Sequence, residues 1–215
     1  MSKPEKFWDF LSKNYDQGEG DPSEREDLEI IQKYLNPDDT VLEYACGTGT
    51  LAIHIAGWVK EIHAIDISGK MVAAAERKAA ERKVTNIHFA RTTIFEASYP
   101  KESFNVVMAF NILHLLEDAQ AAVEKINELL KPGGVFISST ACAGEKTTVS
   151  GSVLVSVLQA ASKIGIIPPV RILKAGELEN VLAQGNFQIV ETKKFVEGIP
   201  GISSYFIVSR KIDSR

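Results

Sequence analysis

Val41-Leu42-Glu43-Tyr44-Ala45-Cys46-Gly47-Thr48-Gly49-Thr50-Leu51-Ala52 reads as an apolar strand, a loop of small residues and the start of a helix. Gly47 and Gly49 let the backbone turn tightly and let a ligand approach it closely. The unpaired N–H groups of the helix that follows favour electron-rich atoms. Asp66 ends the next apolar run about twenty residues further on, where a carboxylate can accept hydrogen bonds from both hydroxyls of a ribose. A cofactor carrying a ribose is the expectation.

Outward from this loop, short β-branched runs alternate with longer helical stretches, the pattern of right-handed βαβ units in an α/β fold with a mostly parallel sheet. Strands are expected at Thr40 to Tyr44, Glu61 to Asp66, Asn86 to Arg91, Phe104 to Phe110 and Gly134 to Thr140, each apolar enough for cover on both faces. Met71, Val72, Ala75 and Ala79 fall at helical spacing within Gly69 to Lys83. A second helix, Asp118 to Leu130, stops at Lys131-Pro132-Gly133-Gly134. A third, Ala175 to Gln184, precedes strands at Phe187 to Val196 and Gly201 to Val208, which a short Gly- and Pro-containing link joins as an antiparallel hairpin at one edge.

The 215 residues, 45% hydrophobic and 24% charged, suit one domain spanning 1–215. A net charge of -4 argues against a nucleic-acid partner, which calls for a basic face. No apolar run follows the first positive charges, so the chain is expected in the cytoplasm, without integral membrane association. Cys46 and Cys142 have no paired spacing and read as free thiols, and no metal cluster is indicated. Nothing in the pattern specifies an oligomer.

Gly47-x-Gly49-x-x-Ala52 alone also fits an NAD-dependent oxidoreductase. Several motifs in order decide between the two. Glu43-x-Ala45-x-Gly47-x-Gly49, Asp66-Ile67-Ser68-x-x-Met71, Ser103-Phe104-Asn105-Val106-Val107 with Leu113-His114-x-Leu116, and Leu129-Leu130-Lys131-Pro132-Gly133-Gly134 together resemble the class I S-adenosylmethionine (SAM)-dependent methyltransferases, in particular their small-molecule branch, from Phe7 to Val208. The resemblance implies a Rossmann-like, mostly parallel seven-stranded sheet with helices on both faces. It also implies helices over 1–38 forming an N-terminal cap, and a variable lid or substrate segment over 141–174. SAM would be the cofactor, S-adenosylhomocysteine the product, and a small molecule the acceptor. A SAM-binding protein without catalysis is the alternative.

By the same resemblance Glu43 holds the amino end of SAM, Gly47 and Gly49 make room for it, Asp66 holds the ribose, and Ile67 and Met71 pack on the adenine. Tyr15 of the cap meets the methionine end, and Ala45, Ile94 and Phe110 complete the wall. Ala45 stands where many members have glycine, which implies ordinary backbone angles at a position still leaving the strand. Thr93 stands where an aspartate commonly receives the adenine amino group; its hydroxyl can accept one neutral hydrogen bond there. His54, His63 and His88 read as packed or surface residues. His114, after the fourth strand, is the one candidate for a catalytic base. The apolar stretch Val149 to Ala161 carries Leu154 and Leu158 one helical turn apart, the expected wall of a pocket for a largely apolar acceptor.

Overall fold

The strand at the head of the glycine loop, β1 (Thr40–Tyr44), is buried along almost its whole length, as a strand covered on both faces must be. Around it the computed structural model describes residues 2–16, 22–143, 156–157, 160–164, 167–171, 173–196 and 202–212. β1 pairs in parallel with β2 (Glu61–Asp66) on one side and β4 (Phe104–Phe110) on the other. β3 (Ile87–Arg91) extends the sheet beyond β2, and β5 (Leu130–Ala143) beyond β4. The antiparallel pair β7 (Phe187–Val196) and β8 (Ile202–Lys211) closes the far side, in the order β3-β2-β1-β4-β5-β8-β7. The expected seven strands are joined by an eighth of two residues, β6 (Leu173–Lys174), which pairs with the end of β5.

Alternation along the strands sends neighbours to opposite layers. Leu42 and Val107 pack against Val123 and Ile126 of α5 (Ala119–Leu129) and Leu182 of α6 (Ala175–Gln184). Val41 and Val106 pack on the other face, with Ile31 of α2 (Pro22–Gln32) and Ile55 of α3 (Thr50–Ile55). α4 (Gly69–Glu81) follows β2 and buries Met71, Val72, Ala75 and Ala79 as the spacing requires. α1 (Lys3–Leu11) precedes all of these.

Three expectations change. β3 is not covered on both faces: it is the sheet edge, and His88 and Arg91 are exposed. β5 starts earlier and ends later than expected, because residues 131–134 bulge between the pairs Phe104–Leu130 and Val106–Val135. Asn105 holds the bulge, its Oδ1 accepting from Lys131 Nζ at 2.8 Å and from the Thr40 N–H at 3.1 Å. Ala45 does not have ordinary angles: its φ is +61°, left-handed like Gly47 at +53° and Gly49 at +72°. The Cys46 N–H must reach Ile65 O at 3.0 Å while the Gly49 N–H closes on Cys46 O at 2.9 Å, so the chain turns off β1 within one residue. A Cβ in that region costs about 1 kcal/mol, borne by the surrounding packing.

Gly49 is required for a second reason. A Cβ there would lie 2.8 Å from Ala75 Cβ of α4 and 3.0 Å from the Phe89 ring of β3, so the bare backbone lets helix and strand close on the loop. Gly57 has nothing within 4 Å of such a Cβ. Gly49→Ala should therefore lose about 2 to 4 kcal/mol in chemical denaturation, from strain plus overpacking. Gly57→Ala should stay within about 0.5 kcal/mol, and equal losses at the two sites would refute this account of the loop.

Candidate functional site

In this strand order the connections leave β1 and β4 in opposite directions, which opens a crevice at the carboxyl edge of the sheet between them. Two adjoining clefts occupy it. The larger, about 260 Å³, is lined by Glu43, the glycine loop and residues of α2 and α3, including Asp27, Leu28, Ile31 and His54. The smaller, about 50 Å³, is lined by Trp8, Asp66, Ile67, Met71, Ile112 and Leu115. Tyr15, Ala45, Gly47, Phe110 and Asn111 line both. Asp27, Glu43 and Asp66 give these linings three carboxyl groups, with no lysine or arginine among the described residues.

Asp66 is nearly buried and uses both oxygens on backbone: Oδ2 accepts from the Gly47 N–H at 2.9 Å and Oδ1 from the Ser68 N–H at 2.8 Å. It thereby ties the glycine loop to the start of α4. Burial raises its pKa, against the pull of those N–H donors. Glu43, on the adjacent strand, is 4% exposed, and its Oε2 has no hydrogen-bond partner among the described residues. Desolvation, with the Asp66 charge adding to it, pushes the Glu43 carboxyl up to about 8 despite the Ala52 N–H. The same burial, with Glu43 and Asp66 nearby, lifts the Cys46 thiol well above its usual range. Cys46 and Cys142 are both free and buried.

Three acidic residues missed in the sequence fasten the N-terminal segment over this edge. Glu5, which with Ser2 forms a capping box on α1, pairs with Arg91 at the end of β3. Asp9 Oδ1 accepts from Ser68 Oγ at 2.6 Å and the Lys70 N–H at 3.2 Å, so α1 docks on the first turn of α4. Asp16 accepts from Thr48 Oγ1 at 2.5 Å and from Lys78 Nζ at 3.0 Å, and Lys78 also reaches Thr50 Oγ1 at 2.8 Å. Between these anchors the Tyr15 ring lies over Gly47, 3.4 Å from where its Cβ would be, with Trp8 edge-on at 6.4 Å. Glu5 and Asp9 stand four apart on one helix face, a detectable pattern, but their partners lie 86 and 59 residues away.

The other expected residues divide. Gly49 packs behind the loop and lines neither cleft. Ile94 is fully buried in the core. The Thr93 hydroxyl is engaged in a turn, donating to Glu96 Oε2 at 3.3 Å and accepting the Glu96 N–H at 3.2 Å. His114 sits in the short 3-10 turn after β4, its carbonyl accepting from the Arg171 N–H at 2.7 Å, and its ring lines neither cleft. Leu154 and Leu158 fall outside the described residues. Asn111 and the larger cleft's α2 residues were missed, since only the strand order brings them to the crevice. His54, read as structural, lines that cleft.

The Glu43 shift has a sign that can be measured. The folded protein holds a proton that the unfolded chain gives up near 4.5, so this group's stabilisation is full below that pH and is lost as pH rises towards about 8. The stability difference between the ligand-free protein and Glu43→Gln should therefore fall across this window and level off above it. A difference that does not vary with pH would contradict the buried, protonated carboxyl.

The methyltransferase domain family matches residues 35–186. An uncharacterized methyltransferase of Bacillus subtilis (strain 168), YcgJ, is 28% identical over 117 residues, 54% of this chain and 46% of that protein. The chain spans less than half the length of the first curated relatives it matches. Among solved structures, the [4+2]-cyclase SpnF superposes with a TM-score of 0.78 at 17% identity, covering 98% of this chain and 96% of that one. The geranyl diphosphate C-methyltransferase of Streptomyces coelicolor A3(2), solved with Mg2+, geranyl diphosphate and S-adenosyl-L-homocysteine, superposes with a TM-score of 0.71 at 14% identity, covering 88% and 79%. These likenesses bear out the α/β sheet with its antiparallel closing pair, and the family match spans both Glu43 and Asp66: the chain belongs to the methyltransferase domain family.

Proposed function

We propose that this protein binds SAM in the two adjoining clefts and transfers its methyl group to a small-molecule acceptor. The observation that carries the reading is the buried Glu43 Oε2, which has no partner among the described residues, inside the family-matched region. A buried polar oxygen left unpaired costs energy that a ligand donor recovers, and an amino acid's ammonium is such a donor. The acidic linings, without lysine or arginine among the described residues, favour a cationic ligand in the same way. When bound, SAM supplies a methyl group on a sulfonium, which leaves as a neutral thioether.

Glu43 would hold the ammonium and give its proton to solvent as it does so. Asp66, its oxygens oriented by Gly47 and Ser68, keeps lone pairs for ribose hydroxyls. Met71 and Ile67 offer an apolar wall for the adenine. Tyr15, held by the Asp16 contacts, covers the junction and excludes water. Alignment of an acceptor in such a site can supply on the order of 7 to 11 kcal/mol without a dedicated base. The net charge of -4 and the acidic linings support a small acceptor and not nucleic acid. Among the described residues no helix is long and apolar enough to cross a membrane, and a cytoplasmic site of action remains part of the proposal. The acceptor wall at Leu154 and Leu158 belongs to it as well.

Because a cyclase shares this fold, fold alone does not fix the reaction. Titration with SAM and with NADH separates the cofactor classes, and S-adenosylhomocysteine formation over a panel of small acceptors separates catalysis from binding alone. Asp66→Asn should weaken SAM binding by about 10- to 100-fold while the protein stays folded. Unchanged affinity in that variant, or saturable binding of NADH and not SAM, would overturn the reading.

A further inference from the structure

Asn111 follows β4 with φ at +53°, a left-handed conformation that asparagine tolerates but does not prefer. Its N–H donates to Ser139 O of β5 at 2.8 Å, which fixes the backbone across two strands. The residue is exposed, lines both clefts, and its carboxamide makes no hydrogen bond among the described residues. Strain kept at the carboxyl edge of a central strand, with an unengaged amide at its tip, is the combination expected of a residue that meets a ligand.

The position of Asn111 says which part of the ligand. On the SAM reading, on which this step rests, the aminoacyl end lies in the Glu43 cleft and the adenosyl end in the Asp66 cleft. The sulfonium joins those two ends, so it belongs at the wall the clefts share. Of the residues on that wall, Asn111 alone carries a neutral amide dipole; Ala45, Gly47 and Phe110 have no polar side-chain atom, and the Tyr15 hydroxyl belongs to the cap. We infer that Asn111 is a cofactor-contacting catalytic residue whose carboxamide oxygen faces the sulfonium and its methyl group. A carbonyl dipole aimed at a cation is favourable, and that attraction disappears when the sulfonium becomes a neutral thioether. The contact orients the methyl for in-line attack and releases its hold once the product forms.

Calorimetric titration of the whole chain with SAM and with S-adenosylhomocysteine tests this without knowledge of the acceptor. Asn111→Gly removes the carboxamide while suiting the left-handed backbone, so its melting temperature should equal or exceed that of the unmodified protein. SAM affinity should fall about tenfold and S-adenosylhomocysteine affinity should stay within about twofold. Asn111→Asp, which adds a charge of opposite sign to the sulfonium, should shift the ratio further towards SAM. Equal losses for both ligands in Asn111→Gly, or no loss for either, would overturn the assignment while leaving SAM binding in place. A native protein that binds neither ligand would overturn the SAM reading and this contact with it.

Discussion

Two carboxyl groups, Glu43 and Asp66, lie at the carboxyl ends of adjacent parallel strands with almost no exposure, and the rest of the site is arranged around that burial. Desolvation opposes ionisation of both, and a neighbouring carboxylate adds to it in each case, Asp66 beside Glu43 and Asp9 beside Asp66. The protein treats the two differently. Asp66 receives backbone N–H donors from the glycine loop and from the start of α4, while Glu43 keeps one oxygen without a donor among the described residues. One carboxyl therefore organises the loop, and the other is left for a ligand.

The loop conformation follows from the same geometry. Left-handed residues at 45, 47 and 49 aim the Gly47 N–H at Asp66 and let α4 and β3 press against Gly49. The N-terminal segment is then fastened to what this produces. Asp9 takes the Ser68 hydroxyl, which itself caps α4, and Asp16 takes Thr48 and Lys78. Asp9 and Asp16 thus sit on donors displayed by the glycine loop and by α4 with its cap, and Tyr15 is carried over the cleft as a consequence.

Much of this was legible in the sequence because it is local. The apolar runs of β1, β2 and β4 mark a sheet covered on both faces, and an acid at the end of β2 after a glycine loop marks the edge where the clefts lie. What was missed depends on distant partners. Ala45 is left-handed because Cys46 must reach Ile65 across the sheet, and β3 is half-exposed because the strand order puts it at an edge. Ile94 reads as a wall from its place after β3, yet it is core because the turn held by Thr93 folds it inward. Asn111 joins the cleft lining only when the reversal of strand order opens the crevice above β4.

The proton on Glu43 tests the account most directly. If the buried carboxyl is protonated in the free protein and takes up the ligand's ammonium when SAM binds, calorimetry at pH 6.5 in buffers of different ionisation enthalpy should show release of about one proton per SAM bound. The same titration of Glu43→Gln should show release near zero. No proton release from the native protein, or the same release from the variant, would contradict the role assigned to Glu43.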